Sequence, residues 1–363
     1  MSRDKRGRLA RSHLALAVLG LLLAAPATGN AAEDIYTYAG ADRSRKILDG
    51  AKKEGALTLY SSLTVDGPLR GLAQSFQQAY PDIKLDVWRG DNREILQKIS
   101  AEARSNRRVA DVVESASISG AMKKANLSRP FVSPAAADYA PHHVSPDRLF
   151  VATRLNYFGL AYNTKQVPDS LLPQSYQDLA DPKYKGKLAW RAQSESGANL
   201  FMTMILKTMG DDAGTAWLKK LSANQVVNSL GSARNLVDRV GQGEYDMGIN
   251  MFAHHPLISK DKGAPLDVKM LDPVPAVFGA ILAVKDAPHP HASMLLIDHI
   301  LGPDGQKVLQ SADYLSPRLD LPPDEKLLKI LPRVSKLKEL GIESDDILEY
   351  QAKVDPIYEQ YFK

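Results

Sequence analysis

From residue 55 onward the chain alternates short apolar runs with stretches whose apolar positions recur every three or four residues. ALTLYSS (56–62) is an apolar run that ends in hydroxyl residues. In 66–80, Leu69, Leu72, Phe76 and Tyr80 fall on one face at helical spacing, which predicts a helix. IKLDVW (83–88) alternates as a strand does, and Ile95, Leu96, Ile99 and Ala103 mark a helix over 92–105. VADVVES (109–115) reads as a buried strand ending in small polar residues. Strand–helix repeats of this kind imply a parallel sheet with crossover helices. Ligands of such sheets bind at the carboxyl ends of the strands. Here those ends are Ser61-Ser62, Trp88-Arg89 and Glu114-Ser115.

The pattern restarts after residue 185. GKLAWR (186–191), QVVNSL (225–230) and YDMGIN (245–250) read as strands, and 197–209, 212–222 and 232–241 as helices. The strand ends are now Arg191, Gly231-Ser232 and Asn250-Met251. Two long extended runs connect the halves, LFVATRLNYFGLAYN (149–163) and VPAVFGAILAVKD (274–286). The following PHPHASMLLIDHILG reads as a helix starting near His291. The expected architecture is therefore two α/β lobes joined by two extended hinge crossings. Residues 32–155 with 280–363 form the first lobe and 156–279 the second. A cleft between such lobes closes on a ligand by hinge motion.

The amino end changes how the charge is read. MSRDKRGRLARSH (1–13) is basic, LALAVLGLLLAAPA (14–27) is apolar, and TGNAAED offers small residues for cleavage after Ala31 or Ala32. This is the three-part pattern of a secretory signal peptide over 1–31, and the apolar run is shorter than the roughly 20 residues that span a bilayer. Within it, Arg3, Lys5, Arg6, Arg8 and Arg11 against Asp4 give +4, the formal net charge of the whole chain. The remainder is about neutral, so the basic balance does not argue for nucleic acid. About 330 residues remain, more than the ~250–300 at which single cores stop growing, which agrees with two lobes. The 363-residue chain contains no cysteine, which excludes disulfides and thiolate metal sites.

In order and spacing, ILDGAKKEGALTLYSS, ADVV, GLAYNT, YQDLADPKYKGKLAW, GEYDMGIN and ILGPDGQKVLQ resemble a known family over residues 45–315. It is the type 2 periplasmic solute-binding proteins of ABC importers, in the branch that binds iron(III), polyamines, thiamine and phosphonates. The resemblance implies an α/β, two-lobed periplasmic binding protein type 2 fold. It also implies a periplasmic monomer that captures a small solute and delivers it to an ABC permease in the inner membrane. No covalent chemistry and no cofactor are expected of it. The sequence agrees on catalysis: it shows no GxSxG elbow, HExxH or GxxxxGK[ST]. A secreted hydrolase is the distant alternative.

Iron-binding members of that branch hold Fe(III) with two adjacent tyrosines after the strand matching YDMGIN. Here Met251, Phe252, Ala253, His254 and His255 follow, and YSSLT (60–64) lacks the histidine that some iron binders carry. Neutral imidazole is softer than tyrosinate and suits a hard trivalent cation less well. Glu114 with His254 remains as a weak metal alternative. The pair His142-His143 could join His254-His255, but neighbours in extended backbone point to opposite faces, and zinc needs three or four convergent ligands. A solvated loop beside Pro256 is the simpler account of the second pair.

The serine-rich turns carry a stronger signal. QSESGAN (193–199) sets Ser194, Ser196 and Gly197 before a helix beginning near Ala198, and GSARN (231–235) sets Ser232 before a helix with Arg234 in its first turn. Helix amino-termini hold anions, and an arginine there can grip a carboxylate or phosphonate in two places. The same serines would also serve as plain helix caps. Trp190 and Phe252 could stack on a ligand or fill the core. The expected ligand-binding set is Ser61, Ser62 and Ser115 from the first lobe. From the second come Trp190, Ser196, Gly197, Ala198, Arg234, Asn250 and Phe252. The solute expected is a small anion; a cationic amine would need Glu114 or another acid in the cleft, Asp246 reading as a structural residue.

Overall fold

The computed structural model describes residues 34–192 and 197–363, apart from the side chain of Ser344. The expected signal peptide and the candidates Ser194 and Ser196 lie outside the described residues. In chain order the first part runs α1 (Arg43–Glu54), β1 (Ala56–Ser61), α2 (Arg70–Ala79), β2 (Lys84–Arg89), α3 (Asn92–Ser105), β3 (Val112–Ala116), α4 (Ser119–Lys124), β4 (Ser128–Arg129) and β5 (Val151–Asn163). The middle comprises β6 (Leu188–Arg191), α5 (Ala198–Met209), α6 (Asp211–Ser222), β7 (Val227–Ser229), α7 (Ala233–Gly241), β8 (Met247–Phe252), α8 (His254–Asp261) and β9 (Leu266–Lys269). The last part is β10 (Val274–Val284), α9 (Pro290–Leu301), α10 (Pro303–Ser311), α11 (Pro332–Ser335), β11 (Glu339–Gly341) and α12 (Ser344–Tyr361).

The strands follow the order β2-β1-β3-β10-β5-β8-β6-β7. β1 runs parallel to β2 and β3, and β6 runs parallel to β7 and β8. These are the two halves that the alternating pattern predicts. The two long extended runs become β5 and β10, which pair antiparallel with each other. Residues 151–157 of β5 pair with β10, whereas 158–162 pair with β8, so one strand passes from the first lobe into the second. All thirteen residues of β5 are buried. Burial on both faces explains why the run is mostly apolar and aromatic and does not alternate; its polar residues, Arg154 and Asn156 among them, are buried as well.

Each lobe packs its helices onto its own strands. In the first, Ile47, Leu57, Leu59, Leu72, Phe76, Val112, Ile281 and Leu296 share one apolar cluster. In the second, Leu188, Trp190, Phe201, Trp217 and Leu218 share another. That second cluster also contains Ile347, Val354, Ile357, Tyr358 and Phe362. The expected boundary that gives 280–363 to the first lobe therefore does not hold for α12, which seals the second lobe. Its apolar residues fit the helical spacing, but helical spacing does not say which lobe a terminal helix covers. The turn between α9 and α10 is a close approach: a Cβ on Gly305 would lie 2.5 Å from the His299 carbonyl oxygen.

Candidate functional site

A cavity of about 450 Å³ opens where the strand ends of the two halves meet. That volume lies in the range of small-molecule sites. Its floor is the crossing strands, through Arg154, Asn156 and Phe158 of β5 and Val277 of β10. The first half adds Ser62, Asn92, Ala116 and Ser117, and the chain after α10 adds Ala312, Asp313 and Tyr314. The second half adds Leu200, Arg234, Phe252, His254, His255 and Ile258.

Four helix starts reach this space. Asn92 is the first residue of α3, Leu200 the third of α5, Arg234 the second of α7, and His254 and His255 the first two of α8. First-turn amides have no acceptor within their own helix and carry the positive end of its dipole. Ser232 caps α7 by accepting from the Asn235 amide at 3.1 Å, which fixes where Arg234 projects. The Arg234 guanidinium donates to the His255 carbonyl at 3.2 Å and to the Ser259 hydroxyl, and its Nε lies 3.3 Å from Asp238. The Asp238 pair is solvent-exposed and weak.

The histidine pair is not in extended backbone. It begins a helix, where successive side chains lie about 100° apart and not 180°, so both imidazoles line the cavity. Phe252 lies between Phe158, at 4.7 Å between ring centres, and His255, at 5.2 Å. Burial, then His255 and Arg234, push the His254 imidazole down to about 3. Burial, then Arg234 and Arg191, push His255 down to about 4. Both rings are neutral near pH 7, and both feel the positive charge of Arg234. Asp313, at the same cavity, lies 3.7 Å from Lys326.

Of the expected ligand set, Ser62, Arg234 and Phe252 line the cavity; Ser196 lies outside the described residues. The others have different positions. Ser61 is fully buried, donating to Glu114 at 2.8 Å and accepting from the Leu63 amide at 3.1 Å. Ser115 donates to the Asn92 side chain at 2.6 Å. Trp190 is fully buried, its indole donating to Asn228 at 2.7 Å and its ring 4.6 Å from that of Phe362. Asn250 donates to the Gly197 carbonyl at 3.1 Å, which anchors the start of α5, and Ala198 packs into the core. These residues support the wall and do not form it.

Glu114 does not fit the weak metal alternative. Its carboxylate is fully buried and accepts from Ser61 and Thr153, each at 2.8 Å, and from Arg154. Both of its oxygens are engaged and its charge is matched by Arg154, so it is a structural group within the first half. His142 and His143 do not join His254 and His255 either; both approach Glu339. Asp246 precedes β8 and pairs with Lys187 at 2.9 Å. The sequence reading missed Arg154, Asn156 and Phe158, although a charged residue in an apolar crossing and an i, i+2 spacing were available signals. Asp313 and Tyr314 carried none, because they follow a helix whose end has no recognisable pattern.

A family model described as bacterial extracellular solute-binding protein matches residues 108–338. The chain belongs to this family. Among its relatives, this chain is 24% identical over 241 residues to the Fe(3+)-binding periplasmic protein of Serratia marcescens, covering 63% of this chain and 69% of that one. It is 28% identical over 188 residues to a putative 2-aminoethylphosphonate-binding periplasmic protein of Salmonella typhimurium, covering 48% and 53%. The fold matches that of the periplasmic binding protein AfuA from Actinobacillus pleuropneumoniae, with bound fructose-6-phosphate, at a TM-score of 0.65 and 22% identity. That match covers 85% of this chain and 98% of AfuA. Among the described residues, no helix is long and apolar enough to cross a membrane.

Proposed function

We propose that the protein is a periplasmic receptor that binds a small phosphonate or phosphate monoester between its lobes and presents it to an ABC permease. On this reading residues 1–31 direct export and are removed, and binding involves no turnover. The observation that carries it is the convergence of four helix starts and Arg234 on one cavity. Such amides and an adjacent guanidinium form an anion site. Neutral histidines can donate hydrogen bonds there without needing a counter-charge. Asp313 gives the cavity one acidic residue, which suits an amino group on the same solute. The similarity to a putative 2-aminoethylphosphonate-binding protein and to AfuA, whose structure holds fructose-6-phosphate, supports this reading. Ferric iron is the weaker reading, because α8 begins with imidazoles in place of paired phenolates.

The test is thermal stabilisation and native mass spectrometry with aminophosphonates, sugar phosphates, Fe(III) with carbonate, and polyamines. A ligand at a hundredfold excess over its Kd stabilises the folded state by about 2.7 kcal/mol. Arg234→Gln removes a charge-assisted contact of about 1.5–3 kcal/mol, so affinity for the anion should fall roughly tenfold to a hundredfold. Stabilisation by Fe(III) alone, or an anion response unchanged in Arg234→Gln, would refute the proposal.

A further inference from the structure

Behind the crossing strands, on the side away from the cavity, the geometry points to a second site. There His142, His143 and Glu339 bind a divalent transition-metal ion of the zinc class. His142 and His143 belong to the short turn Pro141–His143, and Glu339 opens β11, where it pairs with Val274 of β10. One ligand atom from each of the three residues lies within 4.8 Å of the others. Nε2 of His142 is 3.4 Å and Nε2 of His143 is 3.3 Å from the same oxygen, Oε1 of Glu339.

Two accounts of the cluster can be set against those separations. At 3.3 Å the His143 contact to Oε1 is a long, weak hydrogen bond, and the His142 contact at 3.4 Å is longer still. Two ligand atoms bound to one zinc ion at about 2.0–2.1 Å with tetrahedral angles stand roughly 3.3–3.4 Å apart. The two histidine-to-carboxylate spacings suit coordination, and the two imidazoles offer ligand atoms within 4.8 Å of each other. Adjacent histidines can converge here because the turn is 3₁₀, with about 120° between successive side chains. Their ring centres are 4.3 Å apart at 60°.

The surroundings complete the site. Tyr157 donates from its hydroxyl to the other carboxylate oxygen, Oε2, at 2.9 Å, which orients Glu339 and leaves Oε1 toward the ion. Support of this kind is the usual second layer of a metal site. His143 is buried, with Nδ1 lacking a partner, so its polar contact runs through Nε2. The ring of Phe278 packs edge-on against it at 5.0 Å. His142, at 59% side-chain exposure, leaves one side open to solvent for a water ligand. Tyr157 and Phe278 neighbour Asn156, Phe158 and Val277, which line the solute cavity, and successive strand residues face opposite ways. A metal at this site therefore sits outside the solute cavity and ties the turn to the strand beside the hinge.

The experiment uses the full chain stripped with a chelator, titrated with Zn²⁺ by calorimetry and with Co²⁺ by visible absorption. One Zn²⁺ per chain, a rise in Tm and the strong absorption of four-coordinate cobalt are expected. His142→Ala, at an exposed position, and Glu339→Gln should each abolish stoichiometric binding. Tyr157→Phe should weaken it roughly tenfold to a hundredfold. Absence of stoichiometric Zn²⁺ binding to the wild type overturns the proposal. So does binding that survives His142→Ala but is lost in a His254→Asn/His255→Asn double variant, which would put the ion in the cavity.

Discussion

Acidification from pH 8 to pH 5 should destabilise the protein through the two imidazoles at the start of α8. Both have ordinary values near 6.5 when unfolded, whereas burial and the nearby arginines hold His254 at about 3 and His255 at about 4 in the folded state. A depressed histidine is neutral when folded and protonates on unfolding. Its stabilising contribution is fully present above pH 6.5 and is lost as pH falls toward the folded value. At pH 5 the unfolded imidazoles lie about 1.5 units below their pKa while the folded ones are still mostly neutral. At 1.36 kcal/mol per unit, each then contributes about 2 kcal/mol of destabilisation, or about 4 kcal/mol for the pair. Urea denaturation at pH 8, 7, 6 and 5 measures the total, and the His254→Asn/His255→Asn double variant removes these two groups from it. The variant should lose about 4 kcal/mol less than the wild type over that range. Parallel pH profiles for the two proteins would show that the imidazoles are solvated, and the account of the cavity would fail. By the same linkage a bound anion favours imidazole protonation, so anion affinity should rise as pH falls below 6.

Three substitutions test the supporting structure. Glu114→Gln leaves Arg154 buried without its counter-charge and should cost about 3–5 kcal/mol in chemical denaturation; a loss below about 1 kcal/mol would mean the pair is not desolvated. Phe362→Ala removes a ring packed on Trp190 and should cost about 3–5 kcal/mol with a red shift of tryptophan emission. An unshifted spectrum would place α12 elsewhere. Gly305→Ala adds a Cβ 2.6 Å from the Ile300 Cα, and this overpacking of about 1–3 kcal/mol outweighs the gain of about 1 kcal/mol from replacing a helical glycine. A variant with an unchanged or higher Tm would contradict the close approach of α9 and α10.

What the sequence disclosed follows from the range of the interaction involved. Local period distinguished strands from helices, so the restart of the pattern after residue 185 revealed two halves, and the long, mostly apolar runs revealed the crossings. Strand ends pointed to the cavity for the same reason, since topology puts them there whatever their side chains. The individual site residues depended on contacts distant in sequence. Ser61 and Ser62 look alike as neighbours in a hydroxyl-rich turn, but the first is turned inward to Glu114, 53 positions away. Trp190 follows Ala189 at the end of a strand and reads equally well as a stacking platform. Its environment is set by α12, which returns from the far end of the chain to cover it. The two histidine pairs show the same limit: HH is one motif in both places, and the backbone around it decides its geometry. Where that backbone is the first turn of α8, both rings face the solute cavity. In the 3₁₀ turn at Pro141–His143 they converge on Glu339, 196 residues later than His143. Chemistry that needs three residues in one place is therefore visible only once the fold has brought them together.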